Sequence, residues 1–231
     1  MNKNASLAVF LLLIFGISCK KSDPATPAAV PYLSFTSGNV WSYELTNNPS
    51  TAPTITNYTL TSTSRDTTIN SKIYHIFNNS NGNTLEYHNQ TGNDYYEFTT
   101  LPAALGGGKT ENLYLKLAVT AGTTWSQPLP PITISGITAQ VLKSDTLKET
   151  GLTKIIKGKT YTNVIHVASG LTITSSTSPI PLTNALTASI HNYYAPNVGR
   201  IFSSNDIKII VPLAGINQSV ENKTELVTTN F

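Results

Sequence analysis

The stretch NLYLKLAV (Asn112 to Val119) alternates apolar and polar side chains at every step. Leu113, Leu115, Leu117 and Val119 fall on one side, and Asn112, Tyr114, Lys116 and Ala118 on the other. Successive side chains of an extended chain point to opposite faces, whereas a helix repeats every 3.6 residues. The stretch therefore predicts a β-strand with one face turned to a core.

The same two-residue period recurs outward in both directions. Towards the N-terminus it predicts strands over Val40–Leu45, Ile55–Thr61, Lys72–Phe77, Thr84–His88 and Tyr95–Thr99. Towards the C-terminus it covers Ile132–Ser135, Ile137–Thr146, Lys154–Lys157, Thr160–Val167, Leu171–Ser175, Ser189–Tyr194, Arg200–Phe202, Ile207–Val211 and Glu225–Val227. Turn chemistry separates them, as at Asn81-Gly82, Thr91-Gly92-Asn93, Lys157-Gly158-Lys159 and Pro196-Asn197-Val198-Gly199. Around Gly136 the apolar parity flips, which marks a bulge or a break. No segment sustains a helical period; the best helix candidate is the short PLTNALTAS (Pro181 to Ser189). The expected fold is all-β, one domain over 32–231, mostly antiparallel because short turns join successive strands. A curved sheet closing as a half-barrel or barrel and a two-sheet sandwich both fit.

The start of the chain reads differently. Lys3 precedes Leu7 to Ile17, an unbroken apolar run of eleven residues, and Cys19 follows small residues. Eleven helical residues span about 16 Å, short of a bilayer core of ~30 Å. Residues 1–18 are thus expected to be a cleaved secretory signal. Cys19 is the single cysteine of the 231 residues. Its place after the run resembles the lipobox of bacterial lipoproteins, with Ser18 fitting and Gly16 standing where Leu is usual. The resemblance implies a diacylglycerol thioether on Cys19, palmitate or a similar acyl chain on the new amino end, and membrane anchoring through that lipid. Two or three chains hold a protein far longer than one.

KKSDPATPAAVP (Lys20 to Pro31) has three prolines and little to pack, so 19–31 is expected to be a tether. The mature chain of roughly 210 residues can bury about 70% of its unfolded surface, enough for one sizeable core. With no second cysteine, no intramolecular disulfide supports it. Net charge is +3 and scattered, which excludes a nucleic-acid footprint. Nothing in the sequence signals an oligomeric state.

The two tryptophans, Trp41 and Trp125, sit in matching T-x-G-x-x-W-S stretches, Thr36 to Ser42 and Thr120 to Ser126. Their flanks diverge quickly. They read as two similar turn-to-strand starts, with the rings expected to plug a sheet end. The competing reading is an aromatic platform for a sugar or a lipid tail, with Trp41, Tyr43 and Trp125 as its rings. Tyr87, Tyr95 and Tyr96 cluster near a hairpin turn, and Tyr193 and Tyr194 near another. Tyr95 and Tyr96 join the candidate ligand residues, although such pairs equally suit cross-strand packing.

G-N-x-W-x-Y (Gly38 to Tyr43), G-x-x-W (Gly122 to Trp125), G-K-x-Y-x-N-V-I-x-V (Gly158 to Val167) and YYAPNVGRI (Tyr193 to Ile201) together resemble a group of poorly characterised Gram-negative envelope lipoproteins. That group is similar in strand pattern to lipoprotein-carrier half-barrels. The resemblance implies a curved sheet cupping an apolar ligand and transfers no catalytic motif. Clear lid helices are missing here.

The search for chemistry yields little. LGGGKT (Leu105 to Thr110) has Ala103 where a phosphate loop needs glycine, and a strand follows instead of a helix. His75, His88, His166 and His191 show no metal-ligand spacing, so no metal and no cofactor is expected. Glu86 and Glu97, on neighbouring strands, are the one pair of carboxylates that could serve glycoside chemistry. No G-x-S-x-G elbow occurs. Asp66-Thr67-Thr68 and Asp145-Thr146-Leu147 resemble bacterial O-glycosylation acceptors at a level close to chance.

The expectation is a lipid-anchored envelope protein, on the periplasmic or the surface face and in the outer membrane by preference. It is expected to bind rather than catalyse, with an apolar or amphipathic ligand. A surface carbohydrate-binding or adhesion module is the alternative, and a hydrolase the third.

Overall fold

The computed structural model describes residues 30–101, 105, 107–134, 137–174, 185–211 and 215–231. The expected signal, Cys19 and all but the last two residues of the expected tether lie outside the described residues.

Twelve strands form one sheet: β1 Val40–Asn47, β2 Thr54–Ile69, β3 Lys72–Asn79, β4 Thr84–Thr91, β5 Asp94–Thr100, β6 Lys109–Lys116, β7 Thr124–Ile134, β8 Ile137–Ile156, β9 Lys159–Thr174, β10 Leu186–Ala195, β11 Gly199–Val211 and β12 Ile216–Thr229. Every described pairing is antiparallel, and the sheet is nearly closed into a barrel. The fold is all-β, and the barrel rather than the sandwich is the form taken. Among the described residues the helical structure is 3₁₀ alone, at Asn81–Asn83 and at Leu105. Of the helix candidate Pro181–Ser189, Leu186–Ser189 is the start of β10. There Leu186 pairs with Ile209, and a strand fits because Leu186, Ala188 and Ile190 alternate.

Strand order is β6-β5-β4-β3-β2-β1-β12-β11-β10-β9-β8-β7. Each strand therefore lies beside its neighbours in sequence, and the two ends of the chain pair with each other. Trp41 of β1 opposes Thr229 of β12. The seam lies in mid-chain, between β6 and β7. Pro128, Pro130 and Pro131 lie in β7. Proline cannot donate to a ladder, so such a strand belongs at an edge.

The two T-x-G-x-x-W-S stretches head two six-strand halves and are built alike. Gly38 and Gly122 have φ of +88° and +90°. Gly38 N–H donates to Ser62 O (2.9 Å), Ser62 N–H returns to Asn39 O (2.9 Å), and Asn39 N–H closes the turn on Thr36 O (3.2 Å). Gly122 N–H donates to Leu147 O (2.7 Å), Leu147 N–H returns to Thr123 O (2.9 Å), and Thr123 N–H closes on Thr120 O (3.1 Å). The short identity therefore marks a structural repeat that the diverged flanks conceal.

Each half also bends its second hairpin away from the wall. β3 pairs β4 only over His75 to Asn79, and β9 pairs β10 only over Ile165 to Ser169. The rest of each hairpin folds back across other strands of the wall. Lys72 reaches Glu111 of β6 (2.8 Å) and lies over the Tyr96 ring (3.7 Å). Lys157 reaches Glu44 of β1 (2.7 Å) and Glu225 of β12 (3.5 Å). Bulges between Ser62 and Asp66, and between Leu147 and Lys154, permit the bends.

The inward positions form three tiers. At the end where the chain enters β1, the lower end, Trp41, Phe77, Tyr95, Leu115, Leu147, Val167, Ile201 and Leu226 form one apolar cluster. At the opposite end Leu105, Leu129, Ile132, Val141, Leu171, Ile173, Leu186, Ile207 and Ile209 form another. Between them the inward residues are polar. β8 reads Ala139, Val141, then Lys143, Asp145, then Leu147; β11 reads Ser203, Asn205, then Ile207, Ile209. Outward positions such as Thr138, Gln140, Thr162, Thr172 and Thr174 are exposed and polar, unlike the apolar band of a lipid-facing barrel.

β6 departs from the strict alternation expected over Asn112 to Val119. β6 ends at Lys116, and the register slips between Tyr95 and Tyr96 opposite Leu115 and Leu113. Leu115 is fully buried as expected, but Asn112 and Tyr114 line the interior cavity. The bulge supplies the change of face.

Candidate functional site

The middle tier surrounds a cavity of about 230 Å³, walled by Glu97, Asn112, Tyr114, Lys143, Asp145, Asn192, Tyr194, Arg200, Asn205 and Asn222, with Leu105, Leu129, Leu171, Ile190, Ile207 and Val220 from the upper tier. A second cavity of about 550 Å³ lies against β4 and β5 and shares Glu97, Thr99, Thr100 and Arg200 with the first.

Side chains link the polar tier across the seam. Asn112 Nδ2 donates to Glu97 Oε1 (2.7 Å). Lys143 Nζ donates to Asn112 Oδ1 (2.9 Å) and to both oxygens of Asp145 (2.5 and 2.6 Å). Ser169 Oγ donates to Asp145 Oδ1. Burial pushes the Asp145 carboxyl up despite Lys143 and Ser169. On the other side Asn79 Nδ2 donates to Glu86 Oε1 (2.5 Å), and His88 Nε2 is 3.1 Å from Glu86 Oε2. Burial alone would raise Glu86, but His88, Arg200 and Asn79 outweigh it and hold the carboxyl below its ordinary value.

Arg200 enters the interior at the bulge where Tyr193 and Tyr194 oppose Phe202 and Arg200. Its guanidinium meets the Tyr58 hydroxyl, and its Nε is buried without a partner. Burial would lower its affinity for the proton, but Tyr58, Glu97, Tyr43 and Tyr194 around it hold it charged. Among the described residues no carboxylate lies within 4.0 Å of Arg200, and no cationic side chain within 4.0 Å of Glu97.

The aromatic residues singled out in the sequence do not converge on this cavity. Trp41 is completely buried, and its Nε1 donates to Val198 O (2.5 Å). Tyr43 is buried, stacks on Tyr58 (5.3 Å) and donates to Arg200 O (2.9 Å). Tyr95 is completely buried and accepts from Tyr32 N–H (2.9 Å). Each of these rings packs the lower tier and offers no free face. Trp125 is half-buried at the seam, donating to Leu113 O (2.9 Å). Tyr96 lies under Lys72. The rings that reach the cavity are Tyr114 and Tyr194 instead. Arg200, Asn112, Lys143 and Asp145 had no signal as site residues, because polar residues at inward strand positions look like any outward face until the pairing is known.

The lower end is closed by the segment Pro31 to Leu33, ahead of β1. Asn197 N–H donates to Pro31 O (2.6 Å), and Leu33 is buried against Gly199. A Cβ on Gly199 would meet Leu33 Cδ1 at 3.1 Å and Tyr32 O at 3.3 Å, and φ there is +90°.

Two constellations bear on catalysis. Ser62 Oγ lies 2.9 Å from His75 Nε2, and His75 Nδ1 lies 2.7 Å from Asp66 Oδ1. The order is that of a hydrolytic triad, but the burial is inverted: Ser62 is 1% exposed while the Asp66 side chain is 58% exposed. A nucleophile must be reachable, and this one is sealed. Glu86 and Glu97 do share the larger cavity. With Glu86 held ionised, it does not supply the proton a glycosidic leaving group needs. No group of three or more His, Cys, Asp or Glu able to hold a metal occurs among the described residues.

No family profile and no curated protein matches the chain. Two solved structures resemble it in fold. One is a protein of Bacteroides fragilis, named provisionally as exported and as having a YmcC-like fold. It is 10% identical with a TM-score of 0.43, over 85% of this chain and 97% of that one. The other is a protein of Parabacteroides distasonis, named provisionally as a lipoprotein. It is 12% identical with a TM-score of 0.45, over 86% of this chain and 98% of that one. Similarity at this level carries no inference of activity or location.

Proposed function

We propose that the chain is a lipid-anchored protein of the cell envelope whose barrel is a non-catalytic binding module for an amphipathic ligand. The observation that carries the reading is the cavity wall. Its charged and amide groups sit in mid-barrel, and leucine, isoleucine and valine line the side towards the upper end. Such a wall matches a molecule with a polar head and an apolar part, and pockets of mixed character with few convergent polar groups are the usual form of ligand sites. The apolar run before Cys19 and the proline-rich tether support anchoring.

A glycan is the second reading, favoured by Asn112, Asn192, Asn205 and Asn222 beside Tyr114 and Tyr194 on one wall. Displacement of N-phenylnaphthylamine fluorescence separates the two. Uptake of the dye, weakened about tenfold by Ile207→Asp and unaffected by oligosaccharides, supports the amphipath. Displacement by oligosaccharides alone turns the reading to a glycan, and no uptake at all removes it. For the anchor, Cys19→Ser is expected to abolish palmitate incorporation and release the protein from membranes; retention in the membrane fraction contradicts it.

A further inference from the structure

The polar tier contains two opposite charges that attract each other across the cavity without touching. Arg200 and Glu97 line the same two cavities, yet neither has an ion partner within 4.0 Å among the described residues. Of the other charges, Lys143 pairs with Asp145 at 2.5 Å, Glu86 accepts from Asn79 and lies 3.1 Å from His88 Nε2, and Lys109 of the second cavity is exposed to solvent. Asn112 holds one oxygen of Glu97 but brings no charge. Buried charges are costly unless paired and hydrogen-bonded, and an unpartnered buried N–H such as Arg200 Nε is uncommon. The smaller cavity, with one cation and one anion on its wall that lack a contact ion partner, is complementary to a ligand carrying both signs.

Resting on the amphipathic reading above, we infer that the ligand head is a zwitterion, its oxyanion held by Arg200 and its ammonium by Glu97. Guanidinium matches carboxylate or phosphate oxygens in a planar, two-pronged fashion, and a carboxylate accepts from an ammonium. The apolar part lies against Leu105, Leu129, Ile207 and Val220. A phosphoethanolamine lipid head and a free apolar amino acid share this chemistry. Water bridging Arg200 to Glu97 is the alternative filling, and it would give the cavity no preference among charge types.

The test is titration calorimetry on the full chain in a non-ionic detergent. Four probes are compared: dihexanoyl phosphatidylethanolamine, the matched phosphatidylglycerol, hexylamine and leucine. The expected result is that phosphatidylethanolamine binds at least tenfold tighter than phosphatidylglycerol or hexylamine. Glu97→Gln should bring it down to the phosphatidylglycerol level. Arg200→Gln should weaken both lipids, and Arg200→Lys should restore part of the loss; thermal melts confirm that each variant is folded. Leucine binding with the same dependence on Glu97 and Arg200, without lipid binding, keeps the zwitterion and assigns it to an amino acid. Equal affinity for the three amphiphiles, or indifference to Glu97→Gln, overturns the zwitterion while leaving the amphipathic reading intact. If none of these probes binds and the naphthylamine dye is not taken up either, both fall.

Discussion

The barrel has two junctions between its halves, and they are made differently. At β12–β1 the ends of the chain pair as strands, with seven register pairs from Trp41–Thr229 to Asn47–Asn222. At β6–β7, the position the repeat makes equivalent, no ladder is formed. There Trp125 Nε1 donates to Leu113 O (2.9 Å), Leu113 N–H donates to Gln127 Oε1 (2.9 Å), and Gln127 Nε2 donates to Glu111 O (3.2 Å). Side chains thus do at the seam what backbone does at the other junction. The reason lies in β7: its prolines lack the N–H groups a ladder needs, so backbone groups of β6 must find partners elsewhere. The difference teaches where the wall can give. A backbone ladder opens only cooperatively, whereas a junction of a few side-chain bonds can part locally. The seam is also where Asn112 and Lys143 of the cavity wall meet.

The largest effect should come from the tryptophans that mark the two junctions. Trp41→Ala removes a wholly buried ring beside the closed one and should cost ~3–5 kcal/mol in urea melts. Trp125→Ala removes a half-buried ring at the open one and should cost clearly less. Equal losses would mean that the junctions are equally firm.

Next comes Gln127→Leu, which strips Leu113 N–H and Glu111 O of their partners and should cost about 1–3 kcal/mol. Amide exchange should speed up at Leu113 and stay unchanged at Tyr43 and Leu45. Exchange that rises equally at both junctions would show that they do not open separately.

The shared turn sharpens the comparison from the other side. Gly38→Ala and Gly122→Ala meet no atom within 4 Å, so each pays only for the left-handed backbone, roughly 1–2 kcal/mol and the same in both halves. A difference beyond error between the two would deny that the turns are equivalent.

The smallest effect is one of pH. His166 lies 2.9 Å from His191 and 3.6 Å from Glu149, stacked on Tyr193 beneath Lys154. Burial first, then His191 and Lys154, lower its affinity for the proton, with Glu149 opposing. A native value below the unfolded one of about 6.5 means that stability is full above that pH. It falls as the pH drops through the window and levels once native His166 is protonated. His166→Gln should flatten this part of the stability profile, and an unchanged slope would assign it to another group.

The fold was legible because Thr, Ile and Val alternate so persistently, and because turns such as Lys157-Gly158 announce themselves. Three features were not. β7 was hidden by Pro128, Pro130 and Pro131, which speak against a strand unless it is an edge. The end of β2 was hidden because SRDTT (Ser64 to Thr68) has no apolar face; it leaves the wall and pairs β3 alone. The three tiers were hidden because alternation shows which residues share a face but not which face is inside. Lys143 and Asp145 look like solvent positions until Ser169 and Asn112 are placed against them. The candidate rings lie elsewhere for a related reason: Trp41, Tyr43 and Tyr95 pack the lower tier, whereas Tyr114 and Tyr194, each beside a bulge, face the cavity.

The most direct test is native mass spectrometry of the full chain purified gently from its native cells, followed by organic extraction. If the barrel is a chamber for an amphipath, the chain carries one additional non-covalent mass that extraction removes, and Ile207→Asp abolishes it. A chain that is recovered without such a mass, and stays empty when amphiphiles are added back, contradicts the account.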